Sequence, residues 1–216
     1  MIGDKLLIQE QHKIKATACF RELPAFDKAI IAIGGASGTG KSEHAYLLRE
    51  AYYAIGKKVI IISLDDYYAT RPKERNEIRW NAGIDYVGHT EIIWGLVREP
   101  LLDFKNKENA NSILKFREYD KYIDAMHESK INKNKVDIIL LEGLYSGYIS
   151  YLCDYFIYLE GTYHETKTFR IERAKEEQNS FRQKVLAKEQ TEVEFTKKDA
   201  DMFVSLDGKI CKRAKK

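Results

Sequence analysis

A short apolar run that breaks into glycines and ends in Lys-Ser constrains this chain more than any other feature. Residues 29–46 read AIIAIGGASGTGKSEHAY. Gly35, Gly40, Lys41 and Ser42 fill each fixed position of the pattern G-x-x-x-x-G-K-[ST]. The apolar run at 29–33 predicts a strand, and the segment at 42–55 a helix closed by Gly56. Glycines let backbone N–H groups form a concave nest for phosphates, and the helix N-terminus beyond adds partial positive charge. Lys41 is expected to reach phosphate oxygens, and the Ser42 hydroxyl to ligate Mg²⁺. A Gly-rich turn that only joins strand to helix has no need to fill every fixed position. The nucleotide-binding stretch is therefore read as Gly35, Ala36, Ser37, Gly38, Thr39, Gly40, Lys41, Ser42 and Glu43, and its ligand as a nucleoside triphosphate.

The rest of the chain is consistent with one α/β domain. It has 216 residues and a net charge of only +3, so nothing global calls for a nucleic acid or an anionic membrane as partner. Apolar runs are too short for a membrane span, and the first residues carry no signal-peptide pattern. Three scattered cysteines, Cys19, Cys153 and Cys211, show no metal-ligand spacing and fit a reducing cytoplasm. Residues 1–28 are read as an N-terminal extension with no firm element. The domain itself is read as 29–216, with an acceptor-side insert at about 69–135 and a lid at about 162–190.

A second β-branched run, 59–63, predicts a strand buried on both faces. Strand, helix, strand in this order implies a right-handed crossover in a parallel sheet, with ligands beyond the strands' carboxyl ends. Asp65 and Asp66 lie there, suited to accept the proton of an attacking hydroxyl, to hold the Mg²⁺ water shell, or simply to cap a turn. Residues 69–88 read as a polar, turn-rich segment in which Trp80, Asp85 and Tyr86 offer a flat surface and an acceptor to a ring-bearing substrate. A helix is expected over 90–99, capped by Thr90 and stopped by Pro100. Residues 112–120 suggest a strand of a small hairpin outside the main sheet, and 121–135 a charged surface loop. Strands follow at 136–141, 155–159 and 202–206. Glu142, at the end of the first of these, faces the phosphate loop and suits Mg²⁺. A charged helix over 162–178 brings Arg170 and Arg173 onto one face, where guanidinium groups would close over a transferring phosphoryl group. Glu172, Glu176 and Glu177 make a solvated charged face the rival reading.

Taken in order, GASGTGKS, SLDDYY, EYD at 118–120, LLEGLY at 140–145 and EFTKKDADMFV at 194–204 resemble the uridine kinase and phosphoribulokinase family of P-loop kinases. The resemblance implies a three-layer α/β/α fold with a mostly parallel sheet, an acceptor-side hairpin and a helical lid. It implies transfer of the γ-phosphoryl of ATP (or GTP) to a hydroxyl of a small acceptor, a nucleoside first, with a sugar phosphate, pantothenate or glycerate as the alternative. A nucleotide hydrolase or regulator without an organic acceptor is the competing class. Carried over by residue, Asp65 is the catalytic base, Lys41 and Ser42 hold phosphate and Mg²⁺, and Asp65 and Glu142 stand near the metal. Tyr68 and Tyr119 line the acceptor pocket, and Arg170 and Arg173 fall where lid arginines occur. Self-association is left open. Phe195 stands where the family signature has proline, and RWNAGID at 79–85 replaces the family's acceptor-reading Phe-Asp-His-Pro-Asp-like segment.

Overall fold

The apolar runs 29–33, 138–141 and 155–159 become the centre of a sheet because each is buried on both faces. The run 59–63, expected to be buried in the same way, lies at the sheet's edge with Ile60 and Ile61 half-buried. The computed structural model describes residues 2–3, 5–108, 111–173 and 179–213. Along the chain these form α1 (Glu10–Glu22), β1 (Ala29–Gly35), α2 (Lys41–Ala54), β2 (Val59–Ser63), α3 (Pro72–Ala82) and α4 (Trp94–Lys105). A hairpin follows, β3 (Ile113–Asp120) and β4 (Ala125–Asn132), then β5 (Ile138–Glu142) and β6 (Tyr155–Leu159). The chain continues through α5 (Lys167–Arg173), α6 (Ser180–Thr196), β7 (Met202–Val204) and β8 (Ile210–Lys212). The part of the expected lid helix that includes Glu176 and Glu177 lies outside the described residues.

The six-stranded sheet runs β2-β5-β1-β6-β7-β8, parallel throughout except for β8 against β7. Alternate residues of β1 serve opposite faces. Ile31 and Ile33 pack with Leu48 and Tyr52 of α2 and Cys19 of α1. Ile30 and Ala32 pack on the other face, in the cluster that contains Val97, Leu101 and Phe104 of α4 and Val193 of α6. The result is the expected three-layer α/β/α fold.

Four further stretches depart from the sequence reading. Residues 69–88 hold a helix, α3, rather than a loop. Its one buried residue is Arg79, so it has no apolar stripe to betray it. Thr90 sits in a short turn, His89–Glu91, and the following helix begins at Trp94 and runs past Pro100 to Lys105. Val97, Leu101 and Phe104 bury along one face, and that apolar stripe carries the helix through the one hydrogen bond proline cannot make. Half of the expected surface loop 121–135 is β4, a mostly polar strand with no buried residue, paired with β3 along its whole length. The N-terminal residues, read weakly, form α1, which packs on α2 through Cys19 and Phe20. All three cysteines are free, and among the described residues no helix is long and apolar enough to cross a membrane.

Candidate active site

β1 delivers the chain to the sheet's carboxyl edge, where the loop from Ala36 to Gly40 turns it into α2. Gly40 closes the loop in the left-handed region at φ 86°, a conformation that glycine adopts without strain. The loop is tied by its own side chains: Lys41 Nζ donates to the Ala36 carbonyl at 2.8 Å, and Thr39 Oγ1 to the same oxygen at 2.9 Å. Desolvation lowers the Lys41 pKa, while the carboxylates of Glu142 and Asp65 act in the opposite direction. Thr166, just before α5, donates to the Ser37 carbonyl at 2.8 Å.

The two acids of the DD pair part company in the turn Leu64–Tyr67. Asp65 lines the cleft with Lys41, Ser42 and Glu142. Asp66 turns away, buried, and accepts the Tyr119 backbone N–H at 3.1 Å. Burial pushes its carboxyl up to about 7. Glu142 ends β5 in register with Ser63 of β2 and Ile33 of β1. It accepts from Ser63 Oγ at 2.6 Å and from Ser42 Oγ at 3.3 Å. Burial, then the neighbouring Asp65 carboxylate, raises its pKa. Two carboxylates and a serine hydroxyl thus face one another at the phosphate loop. That hard-oxygen set fits Mg²⁺: Ser42, Asp65 and Glu142 would be the residues to hold the ion, whose charge would offset the carboxylates' mutual repulsion. No cluster of three His, Cys, Asp or Glu residues able to hold a metal occurs among the described residues.

The cleft's far wall is cationic. Arg79 is buried and forks onto Glu91, with both contacts at 2.8 Å, while its third nitrogen reaches Glu189 of α6 at 3.0 Å. Arg182 pairs with Glu189 at 3.4 Å. Burial pushes the Glu189 carboxyl up, but Arg182 and Arg79 outweigh it and leave the group below the usual range. Arg75 lies over the Tyr68 ring, 3.5 Å from its centroid. Lys121 from the hairpin and Arg173 from α5 complete the basic lining.

The structure brings together Ser37, Gly38, Gly40, Lys41, Ser42, Asp65, Tyr68, Glu142 and Arg173 in this one cleft. Gly35, Ala36 and Thr39 shape the loop from behind. Other expected residues lie elsewhere. Trp80 is 64% exposed and meets Phe181 edge-on outside the cleft, because it neighbours Arg79 on α3 and so points away from the buried side. Asp85 is exposed in the turn Ile84–Tyr86. Tyr119 is buried, with its hydroxyl on Asp124. Glu43 is buried behind the loop, accepting from the Leu7 N–H at 3.3 Å and facing Arg173 Nε at 3.5 Å. Arg170 turns onto the Tyr163 carbonyl and Thr166 Oγ1, and its stem packs against Gly38. Sequence reasoning missed Arg75, Arg79, Lys121, Arg182 and Glu189. The i, i+4 pair Arg75 and Arg79 was the available signal, but it has meaning only once α3 is recognised as a helix.

With this geometry in view, the comparisons with known proteins are decisive for the family. The model of the Phosphoribulokinase / Uridine kinase family matches residues 30–207. The chain belongs to that family. A uridine kinase of Ureaplasma parvum serovar 3 is 31% identical over 155 residues, covering 69% of this chain and 70% of the relative. The bifunctional alpha-galactosidase/sucrose kinase AgaSK of Mediterraneibacter gnavus is 28% identical over 198 residues, 86% of this chain but 21% of that protein. Among solved structures, a possible uridine kinase from Bacillus stearothermophilus shares the fold with a TM-score of 0.63 at 17% identity, covering 91% of this chain and 99% of that one. The phosphoribulokinase from Rhodobacter spheroides gives 0.62 at 13% identity, covering 83% and 70%. As a member of the Phosphoribulokinase / Uridine kinase family, this protein is an ATP-dependent small-molecule kinase.

Proposed function

We propose that this kinase transfers the γ-phosphoryl of ATP to a hydroxyl of a nucleoside-like small molecule, with Asp65 as the base. The observation that carries the reading is the divergence of Asp65 and Asp66. Asp65 faces Lys41 and Glu142 across the cleft, while Asp66 is committed to the hairpin backbone. Asp65 would hold the acceptor hydroxyl and take its proton. Lys41 and Arg173 would stabilise negative charge on the transferring group. Ser42 and Glu142, with Asp65, would hold Mg²⁺, which when bound neutralises the phosphate oxygens. Three unpaired cysteines fit a reducing cytoplasm as the place of the reaction.

The uridine kinase relatives support a nucleoside acceptor. A second reading has an observation of its own. Trp80, Asp85 and Tyr119, which would have read a ring and its hydroxyls, are absent from the cleft, and Arg75 and Lys121 line it from the acceptor side. That wall suits an anionic acceptor such as a sugar phosphate or glycerate. ADP release with ATP and Mg²⁺ against a panel of nucleosides, sugars, sugar phosphates and glycerate, with mass detection of the phosphorylated product, decides between the two. ADP release that no acceptor accelerates, with no phosphorylated product, would sink both.

A further inference from the structure

The family match begins at residue 30, yet the segment ahead of it reaches the nucleotide site. His12, on the first turn of α1, is buried, and its ring packs directly on Gly40 of the phosphate loop. A Cβ at Gly40 would lie 2.9 Å from both Cδ2 and Nε2 of that ring. The opposite contact is with the lid: His12 meets Phe169 of α5 edge-on, centroids 4.9 Å apart. Phe169 in turn carries the Arg173 guanidinium 5.7 Å from its ring centroid. The imidazole cannot turn freely, because the Gln9 N–H donates to Nδ1 at 3.0 Å, which leaves the ring proton on Nε2.

Neighbouring residues fasten the same segment to other parts of the site. The Gln9 side-chain amide donates to Glu172 of α5 at 2.8 Å. The Leu7 N–H donates to Glu43 of α2 at 3.3 Å. Farther back, the Ile2 N–H donates to the Tyr119 carbonyl at 2.9 Å, and the Lys121 N–H to the Ile2 carbonyl at 3.2 Å. One strand of chain thus touches the acceptor hairpin, the first turn of α2, the phosphate loop and the lid helix. These parts meet around a triphosphate, and small errors in their relative placement are costly to phosphoryl transfer.

We propose that residues 5–22 form a strap that positions the phosphate loop against the lid, with His12 as its key positioning residue. The ring fills the space behind Gly40 and holds that residue in the left-handed turn its amide needs to face phosphate. Through Phe169 it sets where Arg173 stands. His12 is not among the residues that line the cleft, so it acts through Gly40 and Phe169. The inference rests on the kinase reading of the cleft, but not on which acceptor is used.

Isothermal titration with ATP and Mg²⁺ tests it without any acceptor, so a wrong acceptor assignment leaves the outcome intact. His12→Ala is expected to weaken ATP binding tenfold or more. His12→Phe, which restores a ring against Gly40 and Phe169, should return affinity to within threefold of wild type. Gln9→Ala, a change near the surface, should weaken ATP in the same direction by a smaller factor and covers the case in which His12→Ala does not fold. Lys13→Ala, on the solvent side of α1, is the control. In steady state the ATP KM should rise and kcat should fall with the displacement of Arg173, while the acceptor KM holds. Wild-type ATP affinity in both His12→Ala and Gln9→Ala overturns the strap, as does a loss confined to thermal stability.

Discussion

The Ser42 hydroxyl and the Glu142 carboxylate, a hundred positions apart in sequence, meet at 3.3 Å where the phosphate loop crosses the end of β5. Parallel pairing of β5 between β1 and β2 makes the meeting, since Glu142 aligns with Ile33 on one side and Ser63 on the other. If the pair organises Mg²⁺, Glu142→Gln keeps the Ser63 hydrogen bond but halves the anionic character of the site. Turnover should fall by about 10²-fold, and the Mg²⁺ concentration for half-maximal rate should rise. A magnesium titration of the initial rate checks this. A variant with wild-type Mg²⁺ dependence refutes the role.

Asp65 and Asp66 should separate cleanly by mutation. Asp65→Asn is expected to lower kcat by about 10²-fold or more with ATP affinity nearly intact. Asp66→Ala removes the acceptor of the Tyr119 N–H and should instead cost about 1–3 kcal/mol of stability. Asp66→Asn, which retains an acceptor oxygen, should recover most of it. Urea unfolding beside single-turnover kinetics reads both quantities.

Arg79 and Trp80 are sequence neighbours with opposite prospects. Arg79→Ala leaves Glu91 and Glu189 buried with a partner missing, and should destabilise the protein by about 3–5 kcal/mol. Trp80→Ala removes an exposed ring and its edge contact with Phe181, so kinetics close to wild type are expected. A large rise in acceptor KM for Trp80→Ala would return that residue to the acceptor site.

The cysteines provide a third readout of the fold. Burial pushes the thiols of Cys19 and Cys153 up to about 12, from 9.0 in an exposed setting, so neither holds appreciable thiolate near neutrality. Cys211 is exposed on the edge strand β8. Alkylation of the native protein should therefore modify Cys211 first and leave Cys19 intact until the protein unfolds. Peptide mapping after timed labelling measures the order, and early modification of Cys19 contradicts the packing of α1.

What the sequence by itself determined is the chemistry carried by local patterns. The phosphate loop is one unbroken stretch, and its glycines, Lys41 and Ser42 have meaning at fixed spacing whatever surrounds them. The strands β1, β5 and β6 were legible for a related reason: they are buried on both faces, so their apolar runs are continuous. β2 carries a like run although it lies at the sheet's edge with Ile60 and Ile61 half-buried. Tertiary structure decided everything held by charge or by distant partners. α3 is anchored by Arg79, whose carboxylates come from 12 and 110 positions away, and no periodicity in residues 72–82 records that. β4 is a mostly polar strand that exists through its pairing with β3. Asp65 and Asp66 are identical as letters, and only the turn Leu64–Tyr67 after β2 assigns one to the cleft and the other to the backbone of Tyr119. The N-terminal segment lacks a motif altogether. Its contact with Gly40 follows from the packing of α1 on α2, a relation that local pattern does not encode.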